Sequence, residues 1–180
     1  MITNRIRQSL LEEAGLTEAQ MNDALEAERD GQPLDHVLIS KNLLPEQRCL
    51  EFFGGYLSLD VQDSLEGTNV PSDFINNVPV QFARTHNLIA VGYSDKILRV
   101  ATCRPLDVHP MDDLATMLDA EVEAVLAPKS EITNLINRAD RHKADGVDEA
   151  LGDIEEQEII ALAETIDETD ALLDVANKAP

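Results

Sequence analysis

The residues best suited to chemistry in this chain are four histidines, two cysteines and a large excess of acids, and their spacing argues against a catalytic centre. His36, His86, His109 and His142 stand at no metal-ligand interval from one another or from Cys49 and Cys103. The cysteines sit in apolar surroundings without a CxxC spacing and read as reduced core thiols. Asp145-Gly146-Val147-Asp148 lacks the alternating acids that precede the glycine of a calcium loop, and reads as solvated linker. Paired carboxylates crowd the C-terminal tail, but no apolar setting splits their pKa values as acid–base catalysis demands. Ser9, Ser58 and Ser94 have no accompanying base motif. A Gly-x-x-x-x-Gly-Lys-Ser/Thr phosphate loop is absent, so this sequence cannot cleave a nucleotide in the P-loop manner. Binding chemistry remains: two guanidinium groups, Arg5 and Arg7, at the head of an apolar frame that occurs twice.

Positioning those groups falls to the repeated frame. Arg5-Ile6-Arg7, Leu10-Leu11, Leu16, Met21 and Ala24-Leu25 recur as Pro33-Leu34-Asp35, Leu38-Ile39, Leu44, Cys49 and Phe52-Phe53, at a constant offset of 28. A repeat of this length predicts two helix-turn-helix units packed on one another, because neither half can bury its apolar face alone. Ile6, Leu10 and Leu11 give the first helix its face over 5–13, and Gly15 stops it. Thr17 and Gln20 form a capping box for the second, which Met21, Ala24 and Leu25 line, with Glu28 at the end of the stripe. Asp30-Gly31 is a turn. In the second copy Leu34, Val37 and Leu38 face inward, Asn42 breaks the helix, Pro45 takes a first helical position, and Gly54-Gly55 ends the unit.

Farther on, Gly67, Asn69 and Pro71 mark a connector, and Ser72 caps a short turn through Ile75. Pro79 opens a helix with Val80, Phe82 and Ala83 inward and Asn87 as its stop. The period then changes: Leu88–Val91 and Ile97–Ala101 flank Tyr93-Ser94-Asp95 as a β-hairpin. Pro110 opens a helix carrying Met111, Leu114, Met117 and Leu118; Glu121–Leu126 is a third strand; Pro128 and Ser130 open a last helix with Ile132, Leu135 and Ile136. The fold class is α+β: residues 1–60 a helical repeat subdomain, residues 72–140 an α-β-β-α-β-α unit with a three-stranded sheet and a βαβ crossover, and residues 141–180 an acidic linker with helices over 154–162 and around Leu172-Leu173.

Charge narrows the partners. The 180 residues hold 14 Lys+Arg against 35 Asp+Glu, a formal net charge of −21. That balance excludes non-specific binding to a nucleic-acid polymer and docking on an anionic membrane, both of which depend on cations. From Ala144 onward twelve acids face one base, Lys178, so about half the charge sits in the tail. No apolar run approaches the roughly 20 residues of a membrane span, and the opening Met1–Arg5 lacks the apolar core of a signal peptide.

The twin frame resembles the N-terminal domain of type II secretion and type IV pilus assembly ATPases, the MshE-type domain, whose motif RLGxxLVxxGxIxxxxLxxALxxQ occurs twice. Val78–Asn87, Ala101–Pro105 and Val125–Pro128 resemble the same family's later elements, and Leu173–Pro180 resembles the segment that enters its ATPase core. The likeness spans 5–140 and the last dozen residues. It implies a non-catalytic docking and regulatory region of an ATPase whose core, with its ATP and magnesium, lies beyond this sequence. It further implies a bacterial cytoplasmic protein, peripheral to the inner membrane through the cytoplasmic region of a platform protein, its parent a homo-hexamer. A stand-alone adaptor is the alternative within the same class.

In well-matched members the motif binds cyclic di-GMP, with arginine on a guanine edge and leucines flooring the pocket. Carried over, that site comprises Arg5, Ile6, Arg7, Leu10, Leu11, Leu34, Leu38 and Ile39. The pattern is degenerate. Arg7 and Ala14 replace glycines and Glu28 a glutamine in the first copy; Pro33 replaces arginine, Asp35 and Asn42 glycines, and Tyr56 a glutamine in the second. Asp35 and Glu28 are expected to repel a dianion. A packing repeat that has lost its ligand chemistry and a retained nucleotide site, in which Arg7 substitutes from a neighbouring position, are the two readings.

Overall fold

Gly15, Gly31 and Asn42 break the first half of the chain where the sequence predicts, each at positive φ. The structure is a computed structural model in which residues 4–144 are described. It divides into two compact units, Met1–Ala139 and Asp140–Pro180. Of the second, residues 140–144 are described and are helical; the linker and helices expected over 145–180 lie outside the described residues.

In the first unit the repeat forms α1 (Asn4–Glu12), α2 (Glu18–Arg29), α3 (Leu34–Ser40) and α4 (Glu46–Leu57). Thr17 and Gln20 make the reciprocal capping box at the head of α2, satisfying two otherwise orphaned N–H groups. Thr17→Ala is expected to cost about 1 kcal/mol, read as a lower urea midpoint with unchanged slope. Leu10, Leu16, Met21, Ala24, Leu34, Leu38, Leu44, Cys49, Leu50 and Phe53 share one interior. Both copies thus turn equivalent positions into the same core, as a packing repeat requires.

Two details depart from the sequence reading. Pro45 is the extended N-cap rather than a helical residue. The Gly54-Gly55 pair does not end α4, which continues to Leu57 and stops at Ser58, in the left-handed region at φ 57. Position 54 has room only for glycine: an added Cβ would lie 2.4 Å from Val61 Cγ2.

The later elements are α5 (Ser72–Asn77), α6 (Val80–His86), β1 (Leu88–Ser94), β2 (Ile97–Thr102), α7 (His109–Leu118), β3 (Val122–Leu126) and α8, helical from residue 129. β1 and β2 pair antiparallel through Asp95-Lys96, both at positive φ, and β2 pairs parallel to β3 across α7. The strand order β1-β2-β3 is the predicted three-stranded mixed sheet with its crossover. Its core takes in Phe74, Ala83, Val100, Leu114, Ile132 and Leu135. Val80 and Met117, read from the sequence as inward, are exposed, since the faces of α6 and α7 are carried by Ala83 and Leu114.

The repeat is fastened to the sheet at the end of β3. After α4 the chain runs beside β3, with a parallel bridge between Val61 and Leu126; Leu126 N–H donates to Asp60 O and Gln62 N–H to Leu126 O, both at 2.8 Å. Leu126 belongs to the core of the repeat, while the next residue, Ala127, belongs to that of the sheet. Arg99 on β2 reaches both Asp60 and Glu123, tying the same junction from the solvent side. Among the described residues no helix is long and apolar enough to cross a membrane.

Candidate functional site

The residues carried over to a nucleotide site divide by burial. Leu10, Leu34 and Leu38 meet in the interior and are out of solvent's reach. Ile6, Leu11 and Ile39 sit on the margin of that core, half-buried. Arg5 is exposed on the first turn of α1. Arg7 is committed to a neighbour: its guanidinium donates to Glu18 Oε2 at 2.6 Å, in the first turn of α2. A ligand at this face would therefore meet Arg5 directly and Arg7 only by breaking the Arg7–Glu18 pair, an exposed contact worth roughly 0–1 kcal/mol.

The second copy is different in kind. Pro33 caps α3 and brings no donor. Asp35, expected from the sequence as a charge facing an incoming dianion, is instead buried, at 2% exposure. Its Oδ1 has no hydrogen-bond partner among the described residues. Burial pushes its carboxyl above the usual 3.8, opposed by backbone N–H groups of His36, Leu106 and Asp35 itself and by the positive charge of Arg104. Asp35 thus joins the N-terminus of α3 to the loop after β2. The sequence signal was an acid at a motif glycine; what it could not reveal was the loop that closes over it.

A raised acid favours the protonated fold. Its contribution is fully present below 3.8 and is lost as pH rises through the folded-state pKa. Asp35→Asn keeps one accepting oxygen and removes the buried charge. The variant is expected to have a higher urea midpoint than the parent near pH 7, with the difference closing in acid; a lower midpoint near neutrality would contradict this account.

Both cysteines are free and buried. Burial, with the charges of Asp35 and Glu46, pushes the Cys49 thiol up to about 12; burial, with Glu46, pushes Cys103 up to about 11. Both are neutral thiols near pH 7, which removes them as nucleophiles. Among the described residues no group of three or more His, Cys, Asp or Glu could hold a metal ion.

Comparison with known proteins fits this architecture. A family model described as the MshEN domain matches residues 58–146. The solved structure of MshE with cdg (cyclic di-GMP) is 32% identical, with a TM-score of 0.61, over 74% of this chain and 97% of that one. The N-terminal domain of XpsE shares the fold, with a TM-score of 0.62 at 24% identity over 77% and 98% of the two chains. The type IV pilus assembly ATPase PilB of Myxococcus xanthus (strain DK1622) is 24% identical over 175 residues. That alignment takes in 97% of this chain but 30% of PilB, so the chain spans about a third of the length of this curated relative.

Proposed function

The chain belongs to the MshEN domain family, and from that premise we propose that it is the docking and regulatory domain of a secretion or pilus assembly ATPase, working by binding the cytoplasmic region of an inner-membrane platform protein. The observation that carries this reading is the match along 97% of the MshE chain at 32% identity, in a unit whose described residues hold no metal cluster and no activated thiol. The mechanism is mechanical. The repeat and the sheet are fastened through Val61 and Leu126, so force applied to one passes to the other without slack. In the parent protein that rigidity would relay ATP-driven motion of a core to the membrane platform. Calorimetry of the purified chain with the cytoplasmic region of the platform protein from the same organism tests it. Saturable binding at micromolar concentration is expected; no heat, together with separate elution on gel filtration, would reject docking through this domain.

A second reading is favoured by the cyclic di-GMP of the MshE structure. In it Arg5 is the guanine-binding cation, and Arg7 joins after release from Glu18. Titration of cyclic di-GMP separates the two. Micromolar binding lost in Arg5→Ala supports a ligand-gated domain. No heat at millimolar ligand leaves docking alone, as the buried Asp35 and the donor-free Pro33 of the second copy favour.

A further inference from the structure

A cavity of about 160 Å³ lies within the first unit, on the side where β2 and β3 end. The two strands are parallel, so their carboxyl ends point the same way, and the crevice outside such ends is where open parallel sheets generally hold ligands. Cys103 and Arg104 follow β2 there, and Lys129 opens α8 after β3. Facing them are His36 and Ser40 of α3, Glu46 at the head of α4, and Asn87 between α6 and β1.

In a chain of net charge −21 this lining is unusual, with two basic side chains and an imidazole against one carboxylate. That carboxylate shows what the cavity attracts. Glu46 Oε1 accepts the Lys129 backbone N–H at 2.9 Å, holding an anion on the first turn of α8, where the helix dipole and unpaired N–H groups favour negative charge. Arg104 keeps donors to spare: its guanidinium is 3.9 Å from Asp107 Oδ2, too far for a hydrogen bond. Ser40 and Asn87 add neutral hydrogen-bonding groups. A volume of about 160 Å³ has room for one phosphoryl group.

We propose that this cavity binds the phosphoryl group of a small phosphorylated compound between Arg104 and Lys129, in competition with the Glu46 carboxylate. Occupancy exchanges an internal anion for an external one. Because Glu46 is the first residue of α4, the exchange also releases one tie between the second repeat and α8. The site shares Ile39 with the residues carried over to a nucleotide site but uses neither Arg5 nor Arg7, and it does not rest on the docking reading.

The test is an amide NMR titration of the full chain with inorganic phosphate and, in parallel, glycerol phosphate, at constant ionic strength. Saturable shifts at Asn87, Arg104 and Lys129 are expected. Glu46→Gln, which keeps the acceptor and removes the competing charge, should tighten binding several-fold. Arg104→Ala and Lys129→Ala should each weaken it about tenfold, a loss of about 1.4 kcal/mol. Equal affinity for the two probes identifies free phosphate as the ligand; tighter binding of glycerol phosphate identifies a phosphomonoester. Shifts that do not saturate, or that Glu46→Gln leaves unchanged, overturn the proposal. The wild-type titration alone decides against it if neither probe moves these amides.

Discussion

Phe53→Ala is expected to destabilise the first unit by about 4 kcal/mol, within the usual range of about 3–5 for a fully buried phenylalanine. Phe53 has no exposed surface and meets Phe52 edge-on at 5.2 Å between ring centroids. Its removal costs the transfer energy of the ring and leaves a hole that Leu10, Leu38 and Leu50 of the same core fill poorly, since their own backbones are fixed in three different helices. Against a typical total stability of about 5–15 kcal/mol the loss is severe. Its reach is the more informative part. Residues 1–139 form one compact unit and the two cores adjoin at Leu126-Ala127, so the repeat and the sheet should melt together. Hydrogen exchange in Phe53→Ala is expected to accelerate at Val100 as well as at Leu38. Faster exchange confined to α1–α4 would show that the repeat unfolds by itself and would undo the rigid coupling on which the relay mechanism depends.

Residues whose partners are close in sequence were the legible ones. The capping box at Thr17 and Gln20 and the stops at Gly15, Asn42 and Asn87 obey local backbone chemistry and stand where expected; the hairpin forms as expected too, but β1 runs on through Tyr93 and Ser94, so its turn is Asp95-Lys96 rather than Tyr93-Ser94-Asp95. The parallel pairing of β2 with β3 was legible too, because a strand–helix–strand order leaves few other arrangements. Positions whose state is set by a distant segment were not. Val80 and Met117 obey the helical period of their own segments, yet both are exposed. Asp35 looks like a surface acid until the loop at Arg104–Leu106 closes over it. The cavity beside Arg104 and Lys129 escaped for the same reason: its lining comes from five stretches of chain that no single spacing connects. In the candidate nucleotide site, residue types suggested which leucines matter, but only packing shows that Leu10, Leu34 and Leu38 build the frame while Ile6, Leu11 and Ile39 border solvent.

Adjacent glycines in α4 should respond to the same substitution with opposite signs. Both are helical, so replacing either with alanine gains about 1 kcal/mol of helix propensity. At Gly55 an added Cβ meets nothing within 4 Å, and Gly55→Ala is expected to keep most of that gain. At Gly54 the new carbon would lie 2.4 Å from Val61 Cγ2 and 3.2 Å from Leu59 O. Val61 is β-branched and stiff at χ1, and its backbone is held by the bridge to Leu126. Relief therefore requires α4 and the strand-like segment after it to separate, at an overpacking cost of about 1–3 kcal/mol that outweighs the propensity gain. Gly54→Ala should lower the urea midpoint while Gly55→Ala raises it. Adding Val61→Ala to Gly54→Ala should recover part of the loss, because it removes the colliding methyl. If both glycine variants were stabilised alike, α4 would not approach the 59–62 segment this closely, and the junction that couples repeat to sheet would be looser than the rigid relay requires.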